Sequence, residues 1–252
     1  MSHKLFVSSL LTLGLTFAPV AALAGEGAEC SQAQGSLSAQ AVVDKHLKAV
    51  GGKERLKAVK TLQLTAIARE GDTVTTSTVQ RARPNLVRYE SEKEGKKVVK
   101  AFDGAQGWYA EAGAAPQRMD KEKSGMMAEG AAFDDVLLDP KGRGVAVKLD
   151  GVEDVKGAPA YKLVLTRASG TETRFIDQRS FLEVKRTYAG THEGKAYSKT
   201  LHLSDYRSVD GIMVNHRTEW EADGKKGEKT VQNVRYNAPV DAAAFKLAAP
   251  RS

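Results

Sequence analysis

The chain has 252 residues, and 38 Lys and Arg against 31 Asp and Glu give a formal net charge of +7. Hydrophobic residues make up 41% and charged residues 27%, a composition typical of globular proteins and not of disordered or collagen-like chains. A single cysteine excludes an internal disulfide framework and a cysteine-rich metal site. The aromatic content of 6% and the even spread of basic residues argue against nucleic acid as a partner.

The segment 1–24 has the three-part pattern of a secretory signal peptide. Lys4 provides a basic start, residues 5–18 form an uncharged apolar run, and the small residues Ala22 and Ala24 precede the cleavage site. The apolar run is shorter than the roughly 20 residues that a membrane-spanning helix needs. We therefore expect cleavage after about Ala24 and export to the periplasm, which leaves 228 residues and a charge of +6.

Residues 25–37 are rich in Gly, Ala, Ser and Gln and are predicted to form a flexible lead. This lead contains Cys30, and lipid modification of a cysteine needs a small residue immediately before it. Glu29 occupies that position, so we interpret Cys30 as a free thiol. No linker divides the rest of the chain, and 38–252 is predicted to be a single domain.

The hydrophobic pattern changes its period near residue 60. Ser38 caps a predicted helix that ends at Gly51-Gly52, after which alternating apolar residues predict β-strands. Turn signals every eight to twelve residues are typical of an antiparallel sheet or barrel. The predicted strands are 62–68, 74–83, 86–91, 97–102, 108–111, 145–149, 160–167, 172–177, 181–188, 196–206, 212–222 and 228–236.

Residues 112–143 interrupt the strands and are predicted to contain one or two short helices. The consecutive Asp134 and Asp135 suit the start of such a helix, where carboxylates cap free N–H groups. A short helical turn is also predicted over 241–247. The fold class that results is mainly β: an incomplete antiparallel β-barrel of about 11 to 12 strands, with an N-terminal helix and a helical insertion. Barrels of this size enclose a cavity.

No catalytic motif is present in the sequence. A nucleophile elbow is missing, and the string 190–196 has the wrong spacing for a P-loop. The predicted hairpin of 196–206 and 212–222 places His202 and His216 on opposite faces, which disfavours a metal site. We therefore predict no enzyme activity, no metal and no cofactor, while an unmarked Asp, Glu or His site stays open as an alternative.

Three stretches carry a family resemblance. The first, 80–89, contains an Arg-Pro pair, the second, 102–109, places an Asp-Gly turn before a Trp-Tyr pair, and the third is 240–247. In this order and spacing they resemble the LolA-type family of periplasmic lipoprotein carriers, with the wider set of outer-membrane lipoprotein-sorting proteins and LppX-like half-barrels.

The resemblance implies an incomplete barrel whose helices lie over an apolar cavity for acyl chains. It also implies that Arg83, followed by Pro84, ties a lid to the barrel. We thus expect a monomeric carrier of lipoprotein or lipid acyl chains toward the outer membrane, with membrane-bound donor and acceptor proteins. A lipid-binding envelope sensor is the alternative. The residues expected to line the cavity or the lid are Leu62, Leu64, Val87, Tyr89, Phe102, Trp108, Met126, Met127, Phe133, Leu137, Leu163, Val214 and His216.

Overall fold

The computed structural model describes residues 37–168, 170–192 and 195–247. The predicted signal peptide, most of the predicted lead and Cys30 lie outside the described residues. The helices are α1 (Ala39–Val50), α2 (Lys53–Ala58) and α3 (Lys121–Ala131), with short 3₁₀ helices at Val136–Leu138 and Ala242–Phe245. None of the helices within these ranges is long and apolar enough to cross a membrane.

Within these ranges, thirteen antiparallel strands form one sheet whose two edges are β6 and β7, and these edges do not pair with each other. The order across the sheet is β6-β5-β4-β3-β2-β1-β13-β12-β11-β10-β9-β8-β7. The strands are β1 (Thr61–Glu70), β2 (Thr73–Ala82), β3 (Leu86–Lys93), β4 (Lys96–Phe102), β5 (Gly107–Glu111), β6 (Gln117–Arg118), β7 (Ala146–Val155), β8 (Ala158–Arg167), β9 (Gly170–Asp177), β10 (Glu183–His192), β11 (Lys195–Val209), β12 (Ile212–Ala222) and β13 (Lys225–Tyr236).

This architecture confirms the predicted fold class, an incomplete β-barrel with an N-terminal helix. The strand that sequence reasoning missed is β6, since two residues are too few to show alternation. Strand β10 begins at Glu183, later than predicted, because Phe181 takes a left-handed backbone (φ 55°) and stacks its ring on Tyr161.

The two faces of the sheet carry different elements. Side chains alternate between faces along a strand, and α1, α2, α3 and the turn Val136–Leu138 all pack on one of them, here called the inner face. The main core lies there, where α1 meets strands β7 to β9 through Val42, Val43, Leu47, Val136, Leu137, Val145, Leu163, Leu165 and Ile176. The other, outer face carries the C-terminal turn Ala242–Phe245.

The corner between α1 and α2 is fixed against the sheet by close backbone approach. Ser38 caps α1 by accepting from the amide of Ala41, as predicted. Gly51 ends the helix at φ 143°, and a Cβ there would lie 2.8 Å from the carbonyl oxygen of Gly211. Arg55 donates from Nη1 to the carbonyls of Gly51 (3.2 Å) and Gly211 (2.9 Å), which closes the corner.

We expect Gly51→Ala to destabilise the protein by at least about 2 kcal/mol, because it combines backbone strain with a steric clash. Gly52→Ala is the matched control: φ is also positive (88°), but a Cβ meets nothing within 4 Å. Its cost should stay near 1 kcal/mol in urea unfolding. Equal losses in the two variants would show that the contact with Gly211 does not hold the corner.

Candidate functional site

A cavity of about 280 Å³ lies on the inner face, beneath α1 and α2; it is called here the inner cavity. Its walls come from helices, strands and the segment after α3, so residues far apart in sequence meet in it. The apolar part of the lining consists of Leu47, Val50, Leu56, Val59, Leu62, Phe133, Leu138, Leu203, Ile212, Met213, Val214 and Tyr236. Three of the predicted ligand residues, Leu62, Phe133 and Val214, are therefore among its lining residues.

Strand β11 is irregular at Asp205, next to the part that lines the inner cavity. Leu203 and Tyr206 both line it although they are three residues apart, which regular alternation would place on opposite faces. Between them Asp205 takes a left-handed backbone with φ 53°, and the pattern of exposed residues changes phase there. The Tyr206 hydroxyl donates to the carbonyl of Glu183 at 2.7 Å, so its ring is held at the cavity wall.

A network of buried ion pairs borders the inner cavity on strands β8 to β10. This inner charge network comprises Asp135, Arg167, Glu172, Arg174, Glu183 and Arg186. At its centre Arg174, whose side chain is 3% exposed, donates from Nε to Glu172 at 2.6 Å and from Nη1 to Asp135 at 2.8 Å. Three arginines are thus matched by three carboxylates, which satisfies charges that would be costly to bury alone.

The carboxylate of Asp135 joins the insertion to the far side of the sheet. Burial alone would raise its pKa, but the guanidinium groups of Arg174 and Arg186 hold the pKa well below its usual range. Asp135 also accepts from the amide of Leu137 at 2.8 Å and so caps the short helix that follows, as predicted. Sequence reasoning identified the cap and missed the ion pair, which depends on where β9 lies.

Arg83 joins the insertion to the near side of the sheet. Its guanidinium donates to both oxygens of Asp134, at 2.7 and 2.5 Å, and lies 4.8 Å from the centre of the Phe133 ring. The same side chain donates to the carbonyls of Leu56 and Val59, next to α2. The carboxylate of Asp134 accordingly raises the pKa of Arg83. Asp134 therefore binds an arginine of the barrel and does not serve as a helix cap.

Arg81 is a functional candidate that sequence reasoning did not single out. It lines the inner cavity and donates to the carbonyl of Gly130 at 2.6 Å, near the C-terminal end of α3. A second bond goes to the hydroxyl of Tyr89 at 3.0 Å. Helix α3 has no basic residue in its last turn, so Arg81 provides the positive charge that favours a helix C-terminus. Its position two residues before Arg83, on the same face, was the available signal.

Other predicted site residues fall into packed clusters. Val87, Phe102, Tyr89 and Met127 pack together beneath α3, around the buried Ala131. Leu137 and Leu163 belong to the main core under α1. Leu64 is a partly buried residue of β1, opposite Val79 and Val234. These residues support the cavity walls and do not line the inner cavity.

Trp108 lies on the outer face, away from the inner cavity. It pairs with Ala101 of β4, and the next residue of that strand, Phe102, faces inward, so Ala101 and Trp108 face outward. Its indole Nε1 donates to the carbonyl of Phe245 at 2.7 Å, and Leu247 packs against the same cluster. Trp108 thus anchors the C-terminal turn, a contact between distant segments that no local sequence pattern predicts.

A second, open cavity of about 810 Å³ separates α3 from strands β9 to β11; it is called here the rim cleft. Met126, which is 53% exposed, faces it together with Tyr188 and Tyr197. Glu172 and Arg167 of the inner charge network also line it. The network therefore lies between the inner cavity and the rim cleft.

The histidines do not converge on a metal site. His216 is buried, and its Nδ1 donates to the carbonyl of Val214 at 3.0 Å. His202 pairs with Glu219 on the opposite face, so the two rings point apart as the predicted hairpin requires. Within the described parts of the chain, no group of three His, Cys, Asp or Glu side chains could hold a metal ion.

Comparison with known proteins yields matches in structure only. No family model matches the chain, and no curated protein matches it in sequence. A DUF1329 family protein from Desulfovibrio piger matches with a TM-score of 0.56 and 16% identity, over 83% of this chain and 97% of that one. A LolA superfamily protein from Nitrosomonas europaea matches with a TM-score of 0.55 and 15% identity, over 84% and 99%.

The third match is an outer membrane lipoprotein-sorting protein domain from Vibrio parahaemolyticus. Its TM-score is 0.52 and its identity 11%, over 82% of this chain and 95% of that one. The chain has the LolA-type fold. The resemblance seen in the sequence is therefore confirmed as a likeness of fold, and identities of 11–16% carry no more than that.

The buried His46 generates a prediction about pH. It lines the inner cavity, its Nδ1 donates to the carbonyl of Phe181 at 2.8 Å, and burial lowers its pKa. Between the lowered pKa of the folded protein and the usual histidine pKa, His46 is protonated in the unfolded chain and neutral in the folded one. The free energy of unfolding therefore rises with pH in this range. We expect the melting temperature to fall between about pH 7 and about pH 5.5, and His46→Gln to flatten that fall. An unchanged pH dependence in the variant would contradict this.

Proposed function

We propose that the protein is a non-enzymatic periplasmic carrier that binds lipid or lipoprotein acyl chains for transfer toward the outer membrane. The observation that carries the proposal is the inner cavity on the inner face of a LolA-type sheet, whose lining is apolar along α1, α2 and the start of β12 and charged along β9 and β10. Two of the matched structures are named for the LolA superfamily and for lipoprotein sorting. The N-terminal pattern of the sequence supports export.

Burial of acyl chains supplies the binding energy without covalent chemistry. Each buried CH₂ group contributes about 0.8 kcal/mol, so about ten buried groups supply the roughly 8 kcal/mol of micromolar binding, before the cost of association. The inner cavity, at about 280 Å³, is just below the usual range of small-molecule sites, roughly 300–1,000 Å³. One partly inserted chain suits this volume, and a cargo with several chains requires the cover to move.

The cover consists of α3 and the segment that follows it up to the main core, residues 121–135, called here the lid. Arg81 holds the C-terminal end of α3, Arg83 holds Asp134, and Arg174 holds Asp135. Opening of the lid breaks these polar contacts, and their re-formation favours the closed state. A large cargo favours the open lid, whereas these polar contacts favour the closed lid. The contacts therefore compete with the cargo and promote its release.

The first test is the identity of bound material. The full chain would be purified from periplasm, extracted with organic solvent and examined by mass spectrometry. We expect acyl lipids or acylated peptides at a consistent stoichiometry. Reproducible absence of both, in the wild type and in a variant with an opened lid such as Asp135→Asn, would overturn the carrier proposal.

The second test separates binding from release. In Arg83→Leu the Asp134 carboxylate loses its partner, so the closed state is weakened. We expect cargo binding to persist while transfer to acceptor vesicles slows by about tenfold. This corresponds to a contribution of about 1.4 kcal/mol from the Arg83–Asp134 pair to the closed state. The matched control is Arg207→Leu, which removes a more exposed Arg–Asp pair on β11. Unchanged transfer in Arg83→Leu would leave Arg83 as a structural residue only.

A further inference from the structure

Lys229 stands out among the charged side chains of the inner face because it is partly buried, and the exposed Lys199 lies near enough for its charge to act on Lys229. The arginines of the inner charge network are each matched by a carboxylate, whereas Lys199 and Lys229 make no ion pair or hydrogen bond with any described residue. Both belong to the inner-facing set, since Lys199 pairs with Tyr188 of the rim cleft and Lys229 pairs with Thr218. The inner face therefore carries unmatched positive charge.

The position of Lys229 places this charge beside the inner cavity. Lys229, Thr218 and Leu203 form one cross-strand row over β13, β12 and β11, and Leu203 lines the cavity. Adjacent strands are about 4.8 Å apart, so Lys229 lies about two strand spacings from Leu203, with Thr218 between them. Trp220 occupies the next inward position on β12 and packs over Gly227, which leaves apolar surface alongside the ammonium group.

The surroundings of Lys229 favour an anion. Burial lowers its pKa, and the charges of Lys199 and Arg186 lower it further. An ammonium group that is withdrawn from water and has no counter-ion is costly, and a bound carboxylate or phosphate removes that cost. The acidic side chains of the rim cleft do not supply this partner, because no carboxylate of the described residues lies within ion-pair distance of either lysine.

We propose that the inner face binds amphiphiles with an anionic head, the head held by Lys229 and Lys199 and the chain inserted in the inner cavity. The chemistry shared by the candidates is a single acyl or alkyl chain that ends in a carboxylate or a phosphate. This inference rests on the carrier function proposed above and adds to it a preference for ligands with an anionic head group. A neutral chain of equal length binds through burial alone and gains nothing from the lysines.

The experiment uses four probes with the same twelve-carbon chain: dodecanoate, monododecyl phosphate, dodecanol and dodecyltrimethylammonium. Binding to the delipidated full chain would be followed by isothermal titration calorimetry near neutral pH. We expect at least one anionic probe to bind about tenfold or more tightly than dodecanol, the gain typical of a charge-assisted hydrogen bond. The comparison of dodecanoate with monododecyl phosphate identifies which head is preferred.

Variants assign the effect to the lysines. Lys229→Met keeps a long apolar side chain and should abolish the advantage of the anionic probe while leaving dodecanol binding within about twofold. Lys225→Met, on the same strand but largely exposed and paired with Glu70, is the matched control and should retain the advantage. If Lys229→Met does not fold, Lys199→Met provides the second measurement, with a reduced advantage expected.

The outcomes separate the two proposals. Binding of none of the four probes contradicts the carrier function itself. Equal binding of dodecanol and both anions, or an anionic preference that survives in both Lys229→Met and Lys199→Met, overturns the anionic site and leaves Lys229 as a packing residue. Tighter binding of the cationic probe would also overturn it, since the acidic residues of the rim cleft would then dominate.

Discussion

The whole molecule depends on how one face of an unclosed sheet is kept from water. Among the described strands, β6 and β7 each pair with one neighbour only, so this sheet does not close on itself. Helices α1 and α2 cover the end near Gly51 and Gly211, and the lid covers the part next to β3 and β4. Each cover buries apolar area, which is the main source of stability, but the space between them stays incompletely filled. The inner cavity is that space.

Polar contacts decide how firmly the lid closes this space. The two consecutive aspartates of the insertion bind arginines on opposite halves of the sheet, Asp134 to Arg83 near β2 and Asp135 to Arg174 on β9. Such pairs contribute less than their geometry suggests, because desolvation offsets the attraction. The opening of the lid proposed above requires contacts of this kind, since a cover held by a large apolar interface would stay shut. The main core under α1 has that permanent character.

The inner face carries two kinds of charged groups, paired and unmatched, although the binding of acyl chains alone requires only apolar surface. Paired charges separate the inner cavity from the rim cleft, and unmatched lysines lie on the side of β11 and β13. The paired charges position the walls, since every arginine among them bonds at least one carboxylate. The unmatched lysines have no ion-pair partner among the described residues, and the anionic head proposed above would provide one. Fold likeness to lipoprotein-sorting proteins does not address this feature.

Sequence patterns were enough to predict twelve of the strands, the early helix, the insertion and the resemblance to the LolA-type family. These follow from local signals: alternation, capping by Ser38, turn residues and short motifs. Trp108 was expected to line the cavity or the lid, but the register of β4 and β5 turns its ring to the outer face. The folded structure was needed to show that Asp134 meets Arg83, that Arg81 holds α3 and that Lys229 has no ion-pair partner among the described residues. Each depends on residues more than ten positions apart, and no local pattern encodes which charges a folded sheet brings together or leaves without a partner.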